Sequence, residues 1–383
     1  MRRELGHWGR CAVWVWALAG LGWAAVGPQP ARAPAFPTPR RTVHRRFRRR
    51  YVPQTWTAKP YARGLGADDV IGGEVPRVRQ AAVDALGDYN GTVVVVNPNN
   101  GRVLAMVNQE LALSAQYEPC STTKIAIALD ALGHGIINEN TPVRIGRRRY
   151  TTLTRALAYS INAYFEAVGR RLGFADVSAY ERRLGLGAKV GWHIPGEQAG
   201  IYPQAPPRGG VSKLCSFGAG IHISPLQLAS IVSTIANGGT MYWLQHPANA
   251  YQAAHFVPRI RGHLAISRLA PAVRDGMMAA VDYGTARGAY MPGMAVLGKT
   301  GTCSRGGTRF GLFASYLGLR HPSLVVVVIL RGNGIIYGPK AAMVAGRIYR
   351  RLNHEFYFAA NRGGRRRRRV VAIALRRRRY ARR

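Results

Sequence analysis

The chain has 383 residues, 47% of them hydrophobic, so it can form one large domain or two modest ones around a full core. This composition excludes an intrinsically disordered protein. The formal net charge is +38, from 55 Lys and Arg against 17 Asp and Glu. Such an excess predicts that part of the surface meets an anion: nucleic acid, phospholipid head groups or an acidic wall polymer.

The N-terminal segment has a basic start, an uncharged apolar run from Cys11 to Val26 and a small-x-small sequence at Ala31-Arg32-Ala33. This order is typical of a secretory signal peptide. We interpret residues 1–33 as a leader that is either cleaved or retained as a short membrane anchor with its arginines inside. The expected location is periplasmic or otherwise extracytoplasmic. Residues 34–66 contain several prolines and an arginine run, which favours an exposed linker.

Residues 67–354 predict one folded domain, and an arginine-rich tail follows over 355–383. The domain begins with a weak helical pattern over 67–86, followed by a hairpin whose strands are GTVVVVNP and RVLAMVN. Apolar residues at three- and four-residue spacing then predict helices through the middle of the domain, including SPLQLASIVSTIANGG. Residues 241–267 show no clear period.

The end of the domain returns to strands. VLGKTGTC, FGLFASYLGL and SLVVVVILRG predict three consecutive antiparallel strands, and a closing helix follows over 339–353. Because two strands come early, three come late and helices lie between, the first and last segments should share one sheet. The expected fold class is therefore α+β, with a five-stranded antiparallel sheet flanked by helices and an all-helical subdomain.

A serine and a lysine three residues apart stand at the start of the apolar run CSTTKIAIALDAL. The run lacks the alternation of a half-exposed strand and predicts a largely buried helix, with Ser121 at its first turn and Lys124 on the same face. Burial lowers the pKa of a lysine, so its neutral amine can take a proton from the serine hydroxyl and create a nucleophile. Alternatively, Ser121 is a helix cap and Lys124 a lysine that reaches solvent.

Two further motifs follow, Ser160-Ile161-Asn162 and Lys299-Thr300-Gly301. With the serine-lysine pair they occur in the order of the S-x-x-K, S-x-N and K-T-G motifs of penicillin-binding proteins and serine β-lactamases. From about Asp88 to Leu352 the chain resembles the transpeptidase domain of penicillin-binding proteins. The resemblance implies a transpeptidase-like fold and acyl transfer through a serine ester, with stem peptides that end in D-alanyl-D-alanine as donors and β-lactams as their mimics.

The first two motifs carry the proton-transfer roles that the resemblance implies. Ser121 would be the nucleophile, Lys124 its base and Ser160 the proton relay to the leaving amine. Asn162 would donate a hydrogen bond to the substrate amide. The alternative for Ser160 and Asn162 is a helix cap.

The third motif carries the recognition roles. Lys299 would supply positive charge for the substrate carboxylate, and Thr300 and Thr302 would donate hydroxyl hydrogen bonds to the same group. Gly301 would let the substrate backbone approach the strand. The backbone N–H groups of Ser121 and Thr302 would form the oxyanion hole. The alternative for the K-T-G motif is an edge-strand turn.

Cys120 precedes Ser121, Cys303 follows Thr302 and Cys215 precedes the segment SFGAG, so these three cysteines should lie near the same site. We interpret them as small buried hydrophobic residues that fill gaps. The alternative is a disulfide between two of them in an oxidising compartment.

The function that the resemblance implies is peptidoglycan cross-linking by a D,D-transpeptidase, with no cofactor or metal. A D,D-carboxypeptidase, a serine β-lactamase and a β-lactam receptor on the same fold are the alternatives. The E-x-x-L-N pattern of one β-lactamase class does not occur between Asn162 and Lys299, and Asn162 stands at the third position of the motif that reads S-x-V in another class, so hydrolysis of the ester should be slow. The expected partners are stem peptides, β-lactams and, through the arginine runs, an anionic envelope surface. Nucleic acid is disfavoured because a secreted chain rarely meets it.

Overall fold

The computed structural model describes residues 57–318, 321–355 and 357–358. The predicted leader and the arginine runs Arg40–Arg50 and Arg362–Arg383 lie outside these ranges, so the interpretations of them stay predictions. The described end of the predicted linker hydrogen-bonds to the folded domain, from Ala62 N to Asp88 O (2.8 Å). None of the helices in the described ranges combines the length and the apolar character that a bilayer crossing requires.

The secondary structure alternates between strands and helices along the described chain. The strands are β1 (Gly91–Val96), β2 (Val103–Val107), β3 (Val143–Gly146), β4 (Arg149–Thr151), β5 (Thr240–Tyr242), β6 (Ile260–His263), β7 (Val296–Arg305), β8 (Thr308–Leu317) and β9 (Leu324–Gly332). The helices are α1 (Pro76–Leu86), α2 (Gln109–Leu113), α3 (Lys124–Gly133), α4 (Leu153–Ala158), α5 (Asn162–Arg183), α6 (Gly210–Phe217), α7 (Pro225–Asn237), α8 (Ala250–Ala254), α9 (Ala270–Asp282) and α10 (Gly338–His354). Short 3-10 turns cover Cys120–Thr122 and Arg287–Ala289.

Five strands form one antiparallel sheet in the order β2-β1-β9-β8-β7, which confirms the predicted sheet shared by the first and last segments. Its central strand β1 is buried along its whole length and β9 at every residue but one, because helices cover both faces. Val78 of α1 and Ile348 of α10 belong to the core on one face, while Ile125 of α3, Phe165 of α5 and Val232 of α7 belong to the core on the other. Among the strands of the described ranges, β7 pairs only with β8 and is therefore an edge of the sheet.

The structure corrects the extent of the first predicted helix. The weak pattern over 67–86 is helical only from Pro76, a residue type favoured at the first helical position. Around Ser160 the chain forms two helices, α4 and α5, and α5 is itself interrupted at Gly173, where φ is 81°. The stretch without a clear period contains the hairpin strands β5 and β6 with α8 between them.

These elements place the serine-lysine turn against the edge of the sheet. The turn Cys120–Thr122 leads directly into α3, whose apolar side chains are buried in the core. Gly301 on β7 allows this close approach, because a Cβ there would lie 3.2 Å from Pro119 O and 3.3 Å from the Cβ of Cys120. The fold therefore holds the serine-lysine pair beside the K-T-G strand.

Candidate active site

The Ser121 hydroxyl lies within hydrogen-bond distance of a buried amine. Ser121 is 8% exposed in its 3-10 turn, whereas Lys124, at the start of α3, is fully buried. The distance from Lys124 Nζ to Ser121 Oγ is 3.0 Å. Ser121 and Lys124 thus lie within reach of each other as predicted, although Ser121 belongs to the 3-10 turn before α3 and not to the helix itself. The alternative of a lysine that reaches solvent is wrong.

Lys124 Nζ has more hydrogen-bond acceptors around it than an ammonium group has hydrogens to donate. Besides Ser121, its Nζ contacts Ser160 O (2.9 Å), Ser160 Oγ (3.1 Å) and Asn162 Oδ1 (2.6 Å). Burial lowers its pKa to about 7, while the charge of Glu166 acts in the opposite direction. A substantial fraction of the amine is therefore neutral near pH 7, and its lone pair can accept the proton of the Ser121 hydroxyl.

Ser160 links this lysine to a second one. Its Oγ is 2.9 Å from Lys299 Nζ, which also donates to Thr300 O at 3.0 Å. Lys299 is fully buried, and burial together with the positive charge of Lys124 lowers its pKa well below the usual value. Because one hydroxyl can accept from a protonated lysine while it donates to a neutral one, Ser160 can pass a proton between them. The structure thus brings both lysines and Ser160 into one hydrogen-bonded chain with Ser121.

Two residues at the site have a strained backbone conformation. Cys120, immediately before the nucleophile candidate, has a φ of 49°, and Ser160 has a φ of 57°. Such left-handed conformations are uncommon for residues with a Cβ and persist only where the surroundings hold them. Ser160 adopts this conformation in the break between α4 and α5.

The hydroxyls of the third motif have partners other than the two lysines. Thr300 Oγ1 lies 2.6 Å from Thr285 Oγ1, and Thr302 Oγ1 accepts a hydrogen bond from Gly338 N at 2.8 Å. The Thr302 hydroxyl hydrogen is left to donate, so carboxylate binding by this residue stays a prediction, as does the oxyanion hole. The absence of a side chain at Gly301 also makes room for the turn Cys120–Thr122, in addition to the predicted role of this glycine in substrate approach.

A disulfide joins Cys120 to Cys303, with Cα atoms 5.8 Å apart. The interpretation of these two residues as gap-filling thiols is therefore wrong, and the alternative is confirmed. Cys215 is free and buried, and it packs against Gly169, as the gap-filling interpretation expects. The disulfide ties the residue before Ser121 to the residue after Thr302.

Sequence reasoning missed a buried carboxylate behind the site. Glu181 is fully buried and accepts hydrogen bonds from Thr123 Oγ1 (2.5 Å) and from the Tyr202 hydroxyl (2.9 Å). Burial raises its pKa to about 7, although both hydrogen bonds oppose the rise. Because its partners are distant in the chain, no local pattern marks this residue. Within the described ranges, no three His, Cys, Asp or Glu side chains form a group that could hold a metal ion.

The sequence matches known proteins over most of the described domain. The family model described as the penicillin binding protein transpeptidase domain matches residues 91–354. Stage V sporulation protein D of Bacillus subtilis (strain 168) is 27% identical over 312 residues, which cover 67% of this chain and 48% of that protein. The peptidoglycan D,D-transpeptidase FtsI of Escherichia coli (strain K12) is 29% identical over 206 residues, which cover 46% of this chain and 35% of FtsI. The chain thus spans half or less of the length of these relatives.

Solved structures share the fold. The apo transpeptidase domain of penicillin-binding protein 3 from Burkholderia pseudomallei has a TM-score of 0.64 at 22% identity, over 74% of this chain and 95% of that domain. The D,D-transpeptidase domain of a peptidoglycan glycosyltransferase from Eggerthella lenta has a TM-score of 0.57 at 20% identity, over 73% of this chain and 81% of that one. Identities this low show the fold alone, and the predicted transpeptidase-like α+β class is confirmed.

Reduction of the Cys120–Cys303 disulfide should lower the free energy of unfolding by about 3–5 kcal/mol, because the bond closes a very long loop in the unfolded chain. Urea unfolding, followed by tryptophan fluorescence with and without reductant, measures the change. The double variant Cys120→Ala/Cys303→Ala should lose the response to reductant, whereas Cys215→Ala should keep it. An undiminished response in the double variant would contradict the assignment.

Proposed function

Because the chain belongs to the penicillin-binding protein transpeptidase domain family, we propose that it is a serine D,D-transpeptidase that cross-links peptidoglycan. Its acyl donor is a stem peptide that ends in D-alanyl-D-alanine, and penicillin occupies the same site. The printed name of FtsI, peptidoglycan D,D-transpeptidase, supports this assignment. A D,D-carboxypeptidase, with water instead of an amine as the acceptor, uses the same first half-reaction.

The observation that carries the proposal is the 3.0 Å hydrogen bond between Lys124 Nζ and Ser121 Oγ. With its pKa lowered to about 7, the Lys124 amine removes the hydroxyl proton as the oxygen attacks the carbonyl carbon of the penultimate D-alanine. The backbone N–H groups of Ser121 and Thr302 stabilise the negative oxygen of the tetrahedral intermediate. The proton then passes through the Ser160 hydroxyl to the nitrogen of the departing D-alanine, and the ester of Ser121 remains.

The neighbouring side chains fit the substrate contacts of this reaction. Lys124 Nζ donates to Asn162 Oδ1, which leaves the Nδ2 group of Asn162 to donate to the substrate amide. Lys299 donates to the terminal carboxylate of the donor, whose negative charge favours the protonated form of this buried lysine, and Thr300 and Thr302 lie on the same strand. The substrate can lie along β7 because this strand is an edge of the sheet.

A β-lactamase is the second candidate, and one contact disfavours it. The carboxylate whose charge acts on Lys124 is that of Glu166, but it is held by Lys213 Nζ at 2.8 Å and by Ser216 Oγ at 3.4 Å. A carboxylate engaged in this way is a poor base for a hydrolytic water. The ester formed with a β-lactam should therefore persist.

We further propose an extracytoplasmic location, on the basis of the apolar N-terminal sequence and of the cell-wall function that the names of the relatives indicate. The arginine runs Arg40–Arg50 and Arg362–Arg383 would hold the protein at anionic phospholipid or acidic wall polymer, since each arginine near such a surface contributes about 1 kcal/mol. These runs contain no Asp or Glu, so no acidic side chain within them weakens the attraction to an anionic surface.

Penicillin should acylate Ser121, and the adduct should persist for minutes or longer. Intact-protein mass spectrometry after incubation with a labelled penicillin measures the mass gain and its decay, and peptide mapping locates it. Ser121→Ala should show no adduct, whereas Ser267→Ala, at an exposed serine outside the site, should behave like the unaltered protein. An adduct on another residue would disprove the assignment of the nucleophile, and rapid turnover would favour the β-lactamase.

The rate of acylation should rise with pH through about 7 and level off above it, because the Lys124 amine must be neutral to take the proton and burial brings its pKa to about 7. Second-order rates of penicillin acylation between pH 5 and 9 give the profile. Lys124→Ala should lose several orders of magnitude, whereas Lys299→Ala should lose less because it removes a recognition contact. Lys189→Ala, at an exposed lysine, should keep both rate and profile. A flat profile, or equal losses at the two buried lysines, would contradict these roles.

Deletion of both arginine runs should leave penicillin acylation unchanged and release the protein from anionic lipid vesicles. Co-sedimentation with vesicles that contain phosphatidylglycerol, at low and high salt, measures binding, and vesicles of phosphatidylcholine serve as the control. Added salt should also release the full chain, because the attraction is electrostatic. Equal retention of the truncated chain would refute the tether, and loss of acylation would show that the runs belong to the fold.

A further inference from the structure

Glu181 lies behind the active site and takes no part in the proposed proton transfers. It stands on the second half of α5, after the break at Gly173, and its side chain is fully buried. Burial raises its pKa to about 7, hydrogen bonds from Thr123 and Tyr202 oppose the rise, and the charge of Asp130 adds to it. In the part of the chain that the structure describes, no cationic side chain compensates this carboxyl group. The two hydrogen bonds are therefore the main compensation for its burial.

The first hydrogen bond connects Glu181 to the start of α3. Thr123 stands between the turn Cys120–Thr122 and Lys124, and its backbone oxygen accepts the first hydrogen bonds of α3. A threonine at such a position commonly caps the helix with its hydroxyl. Here the hydroxyl makes no cap and donates instead to Glu181 Oε1 at 2.5 Å, a short distance typical of a charge-assisted hydrogen bond. The start of α3 is thus held from α5.

The direction of this hydrogen bond limits how the turn can move. Because Thr123 is β-branched, its side chain has few rotamers, so a fixed Oγ1 also fixes the backbone of this residue. Ser121 lies two residues before it and Lys124 one residue after it. The Lys124 amine has further partners in Ser160 and Asn162. A displaced turn would therefore move the Ser121 hydroxyl, now 3.0 Å from the Lys124 amine, relative to an amine that other segments hold in place.

The second hydrogen bond fixes the carboxyl group itself. The Tyr202 hydroxyl donates to Glu181 Oε2 at 2.9 Å. Tyr202 is held in turn by Arg182, whose guanidinium carbon lies 4.7 Å from the centre of the Tyr202 ring and whose Nη2 donates to Pro203 O at 3.2 Å. Because one oxygen of Glu181 is bound to Tyr202, the other stays directed at Thr123.

We propose that Glu181 is a positioning residue for the acylation of Ser121, because its hydrogen bond with Thr123 keeps the Ser121 hydroxyl within reach of the Lys124 amine. An apolar side chain of similar size would fill the same space without the cost of a buried carboxyl group, but it could not direct the threonine hydroxyl. Glu181 does not itself contact the reacting atoms. This inference rests on the proposed function, because it concerns the rate at which Ser121 is acylated.

The test measures acylation by penicillin over a range of drug concentrations, which separates the rate constant of acylation from the dissociation constant of the non-covalent complex. Glu181→Leu should lower the rate constant by about ten- to hundredfold and leave the dissociation constant unchanged, because a small misplacement of reacting groups can cost this much. Thr123→Val keeps the shape of the threonine and should show a similar loss. Glu181→Gln should stay within about threefold, since its amide oxygen can accept from Thr123 and its amide nitrogen can donate to Tyr202.

The controls separate a positioning role from a purely structural one. Glu139→Gln, at an exposed glutamate outside the site, should keep the unaltered rate constant. Thermal unfolding followed by circular dichroism shows which variants are folded at the assay temperature. The double variant Thr123→Val/Glu181→Leu should lose no more than either single variant, because both changes remove the same hydrogen bond. An unaltered rate constant in Thr123→Val, or a loss in Glu181→Gln as large as in Glu181→Leu, would overturn the proposal.

A second measurement separates this proposal from the proposed function. Crystal structures of the unaltered protein and of Thr123→Val give the distance from Ser121 Oγ to Lys124 Nζ without any acyl donor. An increase of more than about 0.5 Å, the tolerance of catalytic geometry, supports the positioning role even if penicillin does not label Ser121. A smaller change refutes the positioning role even if acylation proceeds as proposed.

Discussion

The burial of Lys124 beside Ser121 is the constraint around which the site is built. An ammonium removed from water costs several kcal/mol unless polar atoms surround it, and here the oxygens of Ser121, Ser160 and Asn162 do so. Burial also lowers the pKa of this lysine to about 7. The same apolar helix that makes the charge of Lys124 costly therefore supplies the amine that acts as the base in the proposed reaction.

The oxygens around Lys124 belong to segments that the fold must hold at fixed positions. The nucleophile turn is tied to β7 by the Cys120–Cys303 disulfide and to α5 by the Thr123–Glu181 hydrogen bond. Left-handed backbone at Cys120 and Ser160 shows that these positions are held against local preference. Such rigidity serves the reaction, because the proton moves only over hydrogen-bond distances.

The two buried lysines of the site do not carry full positive charge in the free protein. Lys124 and Lys299 lie on either side of Ser160. Burial lowers the pKa of Lys124 to about 7, and burial together with the Lys124 charge lowers that of Lys299 well below its usual value. In the proposed reaction the carboxylate of the donor would favour the protonated form of Lys299, because a nearby opposite charge raises the pKa of an amine.

Local patterns in the sequence determined the strands, most of the helices and the identity of the site residues. Alternating and continuous apolar runs indicated all five strands of the main sheet, because a strand buried on both faces needs apolar residues along its whole length. The spacing of Ser121 and Lys124 placed them on one helix face, and the order of the three motifs indicated the family. These features depend on residues close in the chain, which is why a sequence shows them.

Contacts between distant segments were decided only by the tertiary structure. The break at Ser160, the partners of Thr300 and Thr302, the burial of Glu181 and the choice of Cys120 and Cys303 for the disulfide could not be derived from spacing. Each depends on which atoms meet after the sheet closes, because hydrogen bonds and disulfides require a specific distance and direction. The sequence therefore named the residues of the site, and packing decided which atoms face one another.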